Sequence, residues 1–146
     1  MKGRNTMKII VDAMGGDNAP IEILKGCALA VKELGVDILA IGRQAELKQT
    51  IKEQNICPDR IAFADAPEVI TMEDSASSVL KEKKQSSMSV GLRLLQEGQG
   101  DAFVSAGNSG ALLAGATLID KRIPGIKRAA FAPILPCQTG HVMLID

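Results

Sequence analysis

The sequence has no tryptophan, no tyrosine and only three phenylalanines. Proteins that hold single-stranded nucleic acid stack bases on aromatic side chains, so this scarcity argues against that class. Neither charge is in excess: 17 basic residues offset 17 acidic ones in 146. A phosphate polymer meets no bulk attraction, and nucleic acid is not an expected partner. The single histidine, His141, and the scattered cysteines Cys27, Cys57 and Cys137 contain no CxxC pair. Odd in number and widely spaced, the cysteines lack the paired ligand spacing of a structural zinc site, which argues against one. They read as reduced thiols in a cytosolic protein, and neither a metal nor a cofactor is expected. Long hydrophobic runs are missing too. The longest, Ala111 to Ile119, falls far short of the roughly 20 residues of a membrane span. Residues 1–6 (MKGRNT) are too polar for a secretory signal and read as a leader, with Met7 as an alternative start.

What is present is the composition of a globular domain, 46% hydrophobic and 23% charged. Apolar runs rich in β-branched residues predict strands at Lys8–Val11, Val36–Ile41, Arg60–Ala64 and Asp101–Ser105. Two more are predicted at Ala129–Leu135 and Val142–Ile145. Between them, helical spacing predicts a helix running to Gly35, with Leu24, Cys27 or Ala28, Val31 and Leu34 inward and Asp17 or Asn18 as its cap. Further helices are predicted over 46–55, over 88–97 with Ser87 as cap, and over 111–119. Asp74, Ser75 and Ser77 suggest a short helix in an irregular stretch, 65–87. Phe63, Phe103 and Phe131 fall in predicted strands and read as core. Strands alternating with helices predict an α/β fold with a largely parallel sheet and helices on both faces.

Four segments suit an anion. Ser105-Ala-Gly-Asn-Ser-Gly110 lies between a strand and a helix. Gly107 and Gly110 let backbone approach a ligand, Ser105, Asn108 and Ser109 add donors, and helix-start amides favour phosphate. A plain strand-to-helix turn with a capping Asn or Ser accounts for the same pattern. Asp12-Ala-Met-Gly-Gly-Asp17, with Gly15 and Gly16, also follows a strand, at the edge where open α/β sheets bind ligands. Lys83-Lys84-Gln85-Ser86-Ser87 precedes a helix, and Arg122-Ile-Pro-Gly-Ile-Lys127-Arg128 gathers cations at a rigid turn. Solvated basic turns are the alternative for both. Neither GxGxxG nor a Walker sequence occurs, so the usual cradles for NAD and ATP are missing.

These segments, in this order, resemble the phosphate acyltransferases of bacterial phospholipid synthesis. The resemblance runs from Met7 to Asp146 and rests on VDAMGGDNAP (11–20), APEVI (66–70), KKQSSM (83–88), SAGNSGALLA (105–114) and RIPGIKR (122–128). Two positions depart: Ser109 stands where Thr is usual, keeping the hydroxyl, and Ala129 stands where Pro is usual. The resemblance implies a three-layer sandwich like that of isocitrate and isopropylmalate dehydrogenases. It implies acyl phosphate formation from acyl-acyl carrier protein and inorganic phosphate. Family members continue through a glycine-rich segment and a second half, so 7–146 is expected to be the N-terminal part of the domain. Asp12, Lys84 and Asn108 are the expected catalytic residues. Phosphate or substrate falls to Gly15, Gly16, Asp17, Ser86, Ser87, Ser105, Gly107, Ser109 and Gly110. Lys121, Arg122, Lys127 and Arg128 are expected to meet the acidic carrier protein. A homodimer in full-length form, cytoplasmic and peripheral on the inner membrane face, serving a downstream membrane acyltransferase, completes the implied picture.

Three other readings remain open at this level. One is a truncated, non-catalytic fragment of the family. Another is a phosphate-ester binding module or a phosphotransacetylase-like enzyme. The last is a dehydrogenase of the same fold, disfavoured by the missing nucleotide fingerprint.

Overall fold

The computed structural model describes residues 6–145. The expected leader, Thr6 apart, and the last residue, Asp146, lie outside the described residues. Four parallel strands make the main sheet: β1 (Lys8–Asp12), β2 (Asp37–Gly42), β3 (Ile61–Asp65) and β4 (Ala102–Val104), in the order β3-β2-β1-β4. Helices α1 (Ile21–Leu34), α2 (Gln44–Glu53) and α3 (Ser87–Gln96) connect them.

Period-two alternation sends successive strand residues to opposite faces. On one face Val11, Ile38 and Ala40 pack with Leu24 and Cys27 of α1 and with Leu47 and Ile51 of α2. On the other, Ile10, Leu39 and Ile41 pack with Val90, Leu94 and Leu95 of α3. The parallel α/β sheet with helices on both faces is therefore as expected. The chain steps outward from β1 to β3 and then returns to the far side of β1 for β4. The strand order reverses between β1 and β4, the point where open α/β sheets admit ligands at the strands' carboxyl ends.

Helix α4 (Ser109–Gly115) follows β4 and continues as a π turn, Ala116–Asp120. A short 3-10 turn, Ala76–Val79, interrupts the irregular stretch. Val79, Met88, Leu92 and Ala111 join α3, α4 and this turn in a second buried cluster. Gly115 makes the close approach of α4: a Cβ there would run into Leu92 Cδ1.

Several expectations need correction. Helix α1 has no side-chain cap from Asp17 or Asn18; a turn over 16–19 precedes it, and the Asn18 carbonyl accepts from Glu22 N–H at 3.2 Å. Leu34 is 73% exposed, because α1 ends beside an open apolar hollow shared with Met7 and Val104. Ser86, not Ser87, caps α3. The final two strands, β5 (Ile134–Cys137) and β6 (Gly140–Met143), form an exposed antiparallel hairpin separate from the parallel sheet. Two linking residues permit only a hairpin, since a parallel pair needs a crossover of about a dozen residues. Phe131 consequently lies outside any strand and is 43% exposed.

Gly115→Val is expected to lower stability by about 1–3 kcal/mol through overpacking. Gly26→Ala, at a helical position with nothing within 4 Å of the added methyl, is expected to leave stability unchanged or raise it by up to about 1 kcal/mol. Urea unfolding checks both. Burial pushes the Cys27 thiol up to about 11, whereas Cys57 and Cys137 are exposed. Iodoacetamide at neutral pH should modify the two exposed thiols first and reach Cys27 only after unfolding, as read by intact mass.

Candidate functional site

The β1–β4 pairing sets Val11 beside Val104, so the residues that follow, Asp12 and Ser105, emerge side by side at the switch point. Asp12 is 2% exposed. A buried carboxylate needs donors, and it has two: Met14 N–H reaches Oδ1 at 3.2 Å, and the Ser105 hydroxyl donates to Oδ2 at 2.8 Å. Ser105 Oγ in turn accepts from Gly107 N–H at 3.1 Å. The two loops interlock through their glycines. A Cβ on Gly15 would sit 2.5 Å from Asp12 Oδ2 and 3.0 Å from Gly107 N. One on Gly107 would meet Gly15 Cα at 3.2 Å. Gly16, at φ +107°, adopts a conformation that only glycine takes without strain, and it lies against Ala106. Asp12, Gly15, Gly16, Ser105 and Gly107, named from sequence, thus converge. Asp17 is exposed beside them.

Asn108 is 8% exposed and fully engaged. Its Oδ1 caps α4 by accepting from Ala111 N–H at 2.9 Å. Its amide donates to the carbonyls of Thr71 at 3.1 Å and Asp74 at 3.0 Å. Asp74 is held by Lys83 Nζ at 2.5 Å and by Thr71 N–H at 2.7 Å, and Lys83 Nζ also donates to the Val69 carbonyl at 2.8 Å. Hydrogen bonding from Lys83, then from the Thr71 backbone, keeps the Asp74 carboxyl below its usual range. Asn108 therefore clips the irregular segment to the start of α4, beside exposed Ser109 and half-buried Gly110. Sequence reasoning missed Thr71 and Asp74 as site-building residues, and named Lys83 only as part of an anion-suited segment, not as the partner of Asp74. The signal was faint: two adjacent lysines, and an acid nine positions earlier.

The lysine–serine segment divides. Lys84 is exposed, and its carbonyl accepts from Arg93 Nη2 at 2.6 Å. Ser86 is fully buried at the N-cap of α3, where its hydroxyl meets Ser89 Oγ at 2.8 Å. Ser89 donates to the Val79 and Lys83 carbonyls at 2.7 and 2.9 Å. Ser87 is buried inside the helix, its N–H on the Glu68 carbonyl at 3.2 Å. Ser86 and Ser87 share no hydrogen bond with the Asp12–Ser105 pair. The basic turn is exposed: Arg122 donates to the Lys127 carbonyl, and Arg122, Lys127 and Arg128 share a groove with Gly110, whereas Lys121 stands outside it. No helix among the described residues is long and apolar enough to cross a membrane.

Residues 7–146 match the family described as fatty acid synthesis protein. The chain belongs to this family. Over 141 residues it is 47% identical to the phosphate acyltransferase of Acetivibrio thermocellus, an overlap of 96% of this chain and 42% of the relative. The phosphate acyltransferase of Caldanaerobacter subterraneus is 46% identical, over 96% and 41%. That of Thermoanaerobacterium thermosaccharolyticum is 43% identical, over 96% and 41%. The chain spans about two-fifths of the length of these members of the family.

The Lys83–Asp74 pair carries a pH signature. A carboxylate depressed in the folded state stabilises it above the unfolded pKa, about 3.9, and loses that contribution as pH falls through the folded value. Lys83→Met should return the Asp74 side-chain carbon titration, followed by NMR, toward the ordinary range. Asp74→Asn should flatten the acid fall of the urea midpoint below about pH 4. An unmoved Asp74 titration in Lys83→Met would contradict the pairing.

Proposed function

We propose that the chain carries the phosphate-holding loops of an acyltransferase in lipid synthesis, forming acyl phosphate from an acyl-carrier-protein thioester and inorganic phosphate. In this reaction a phosphate oxygen attacks the thioester carbonyl carbon. The carbon–sulfur bond breaks, acyl phosphate forms, and the carrier thiolate leaves and takes up a proton. Phosphate is already a nucleophile, so the protein's contribution is positioning and charge stabilisation.

The observation that carries the proposal is the Ser105–Asp12 hydrogen bond between two interlocked glycine loops at the sheet's switch point. The relatives named phosphate acyltransferase support the same reading. Asp12 fixes the Ser105 hydroxyl and the loop carrying Gly107. Phosphate lies over Gly15, Gly16, Gly107, Ser109 and Gly110, where side chains are small or absent. Ser109 offers an exposed hydroxyl, Lys84 an exposed cation three residues before α3, and Asn108 acts by holding the Thr71–Asp74 segment against α4. Buried Ser86 and Ser87 shape the N-terminus of α3, and Asp17 borders the first loop. Lys121, Arg122, Lys127 and Arg128 form the face that meets an acidic carrier protein, since basic patches steer acidic partners. We extend the proposal to the family-like setting: a dehydrogenase-like sandwich, a homodimer, and a cytoplasmic protein peripheral to the membrane, delivering acyl phosphate to a membrane acyltransferase.

The test is phosphate-dependent release of free carrier-protein thiol. Ser105→Ala and Ser109→Ala should each raise the phosphate KM roughly tenfold, the scale of a lost hydrogen bond to a charged group. Thiol release that is independent of phosphate, or kinetics unchanged in both variants, would overturn the proposal.

A further inference from the structure

Helix α4 and its π extension carry two apolar stripes; the core takes one and shares only Ala114 of the other. Ala111, Leu112, Gly115 and Ile119 pack toward α3 and the 3-10 turn. Gly110, Leu113, Ala114, Thr117 and Leu118 recur at i, i+3, i+4, i+7 and i+8 and face a groove of about 470 Å³. That volume falls within the roughly 300–1,000 Å³ of small-molecule sites. The one hydroxyl on this stripe is turned away from a ligand, because Thr117 Oγ1 donates to the Leu113 carbonyl at 2.6 Å. Leu118 is 62% exposed although it belongs to an apolar stripe.

The opposite wall is cationic. Arg122, Lys127 and Arg128 line it, and among the described residues no acidic side chain lines the groove. None of the three forms an ion pair among the described residues. Arg122 donates to the Lys127 carbonyl, linking the two ends of the turn. The groove runs to Gly110 and Ala76, beside the loop that Asn108 clips to the irregular segment. An apolar floor and a cationic wall ending at a glycine loop match one class of molecule: a single hydrocarbon chain bearing an anionic head.

We infer that this groove holds the acyl chain, and that the head of the acyl phosphate product lies where the groove meets Gly110 of the phosphate loops, within reach of Arg122, Lys127 and Arg128, cations that serve both this head and the carrier-protein face. The inference rests on the acyl-transfer reading above and deepens it, by giving the chain a place next to the proposed phosphate loops. Charge complementarity selects the head, and the α4 stripe selects the tail.

Calorimetric titration with dodecyl phosphate, below its micelle concentration, is the experiment. Dodecyl phosphate should bind saturably, and dodecyltrimethylammonium, with the same tail and opposite head, at least tenfold more weakly. Shortening the alkyl phosphate should cost roughly two- to fourfold per methylene removed, the range for partial to full burial. Leu118→Asp should abolish the dependence on chain length. Arg128→Glu should weaken dodecyl phosphate about tenfold and leave the trimethylammonium compound unweakened. Both substituted residues are exposed, so folding is not at stake, and the urea midpoint confirms this. Affinity unchanged in Leu118→Asp and Arg128→Glu would overturn the inference. So would self-association of the chain that depends on Leu118 without any dodecyl phosphate binding, which would make the groove an interface between copies. The acyl-transfer reading fails separately, through thiol release that ignores phosphate, and dodecyl phosphate binding does not depend on that outcome.

Discussion

A carboxylate with 2% exposure must be surrounded by donors, and Asp12 draws its two from different parts of the chain. One is the backbone of its own loop at Met14; the other is the hydroxyl of Ser105, 93 residues away. That second bond crosses the gap between β1 and β4, the one place in the sheet where the strand order turns back. Gly107 N–H then closes on Ser105, so the loop after β4 inherits its shape from a charge at the end of β1. Neither loop could approach so closely with side chains at Gly15 or Gly107. The arrangement presents backbone and small hydroxyls, with little else, to whatever enters.

A second, independent clamp sets the far wall. Asn108 spends its whole side chain, capping α4 with its oxygen and tying down Thr71 and Asp74 with its amide. Lys83 continues this clamp to the start of α3, where Ser86 and Ser89 carry it into the buried serine cluster. The phosphate-friendly segments of the sequence are thereby sorted by task. Asp12, Ser105 and their glycines interlock the two loops, and Asn108 and Lys83 brace the adjoining segment. Ser109 and Lys84 are exposed beside them, as are Arg122, Lys127 and Arg128 of the basic turn.

Much of this was legible in the sequence, for physical reasons. Strands β1 to β4 are apolar runs, and their parallel pairing follows from the helices between them. The loops at Asp12–Asp17 and Ser105–Gly110 are legible as glycines beside polar side chains after a strand, a pattern that a plain turn shares and that only their order along the chain makes specific. The hairpin at Ile134–Met143 is not legible as one, because apolar runs predict a strand without its partner, and the expected bounds Ala129–Leu135 and Val142–Ile145 hide the two-residue link that dictates antiparallel pairing. Lys84 was chosen over Lys83 because adjacent lysines look alike until Asp74, in an irregular stretch without periodicity, selects one of them. The caps of α1 and α3 shifted by a residue or more because Asp17, Asn18, Ser86 and Ser87 all suit such a position by type. Family resemblance, carried by the order of the segments, supplied the chemistry that periodicity could not.

The central claim is that inorganic phosphate rests on the interlocked glycine loops and that the Asp12–Ser105 bond holds them in register. Amide proton–nitrogen NMR spectra of this chain, titrated with inorganic phosphate, test it most directly. The account predicts saturable shifts centred on Gly15, Gly16, Ala106, Gly107 and Ser109, and their loss in Asp12→Asn. Shifts confined to residues 121–129, or a titration unaltered by Asp12→Asn, would contradict it.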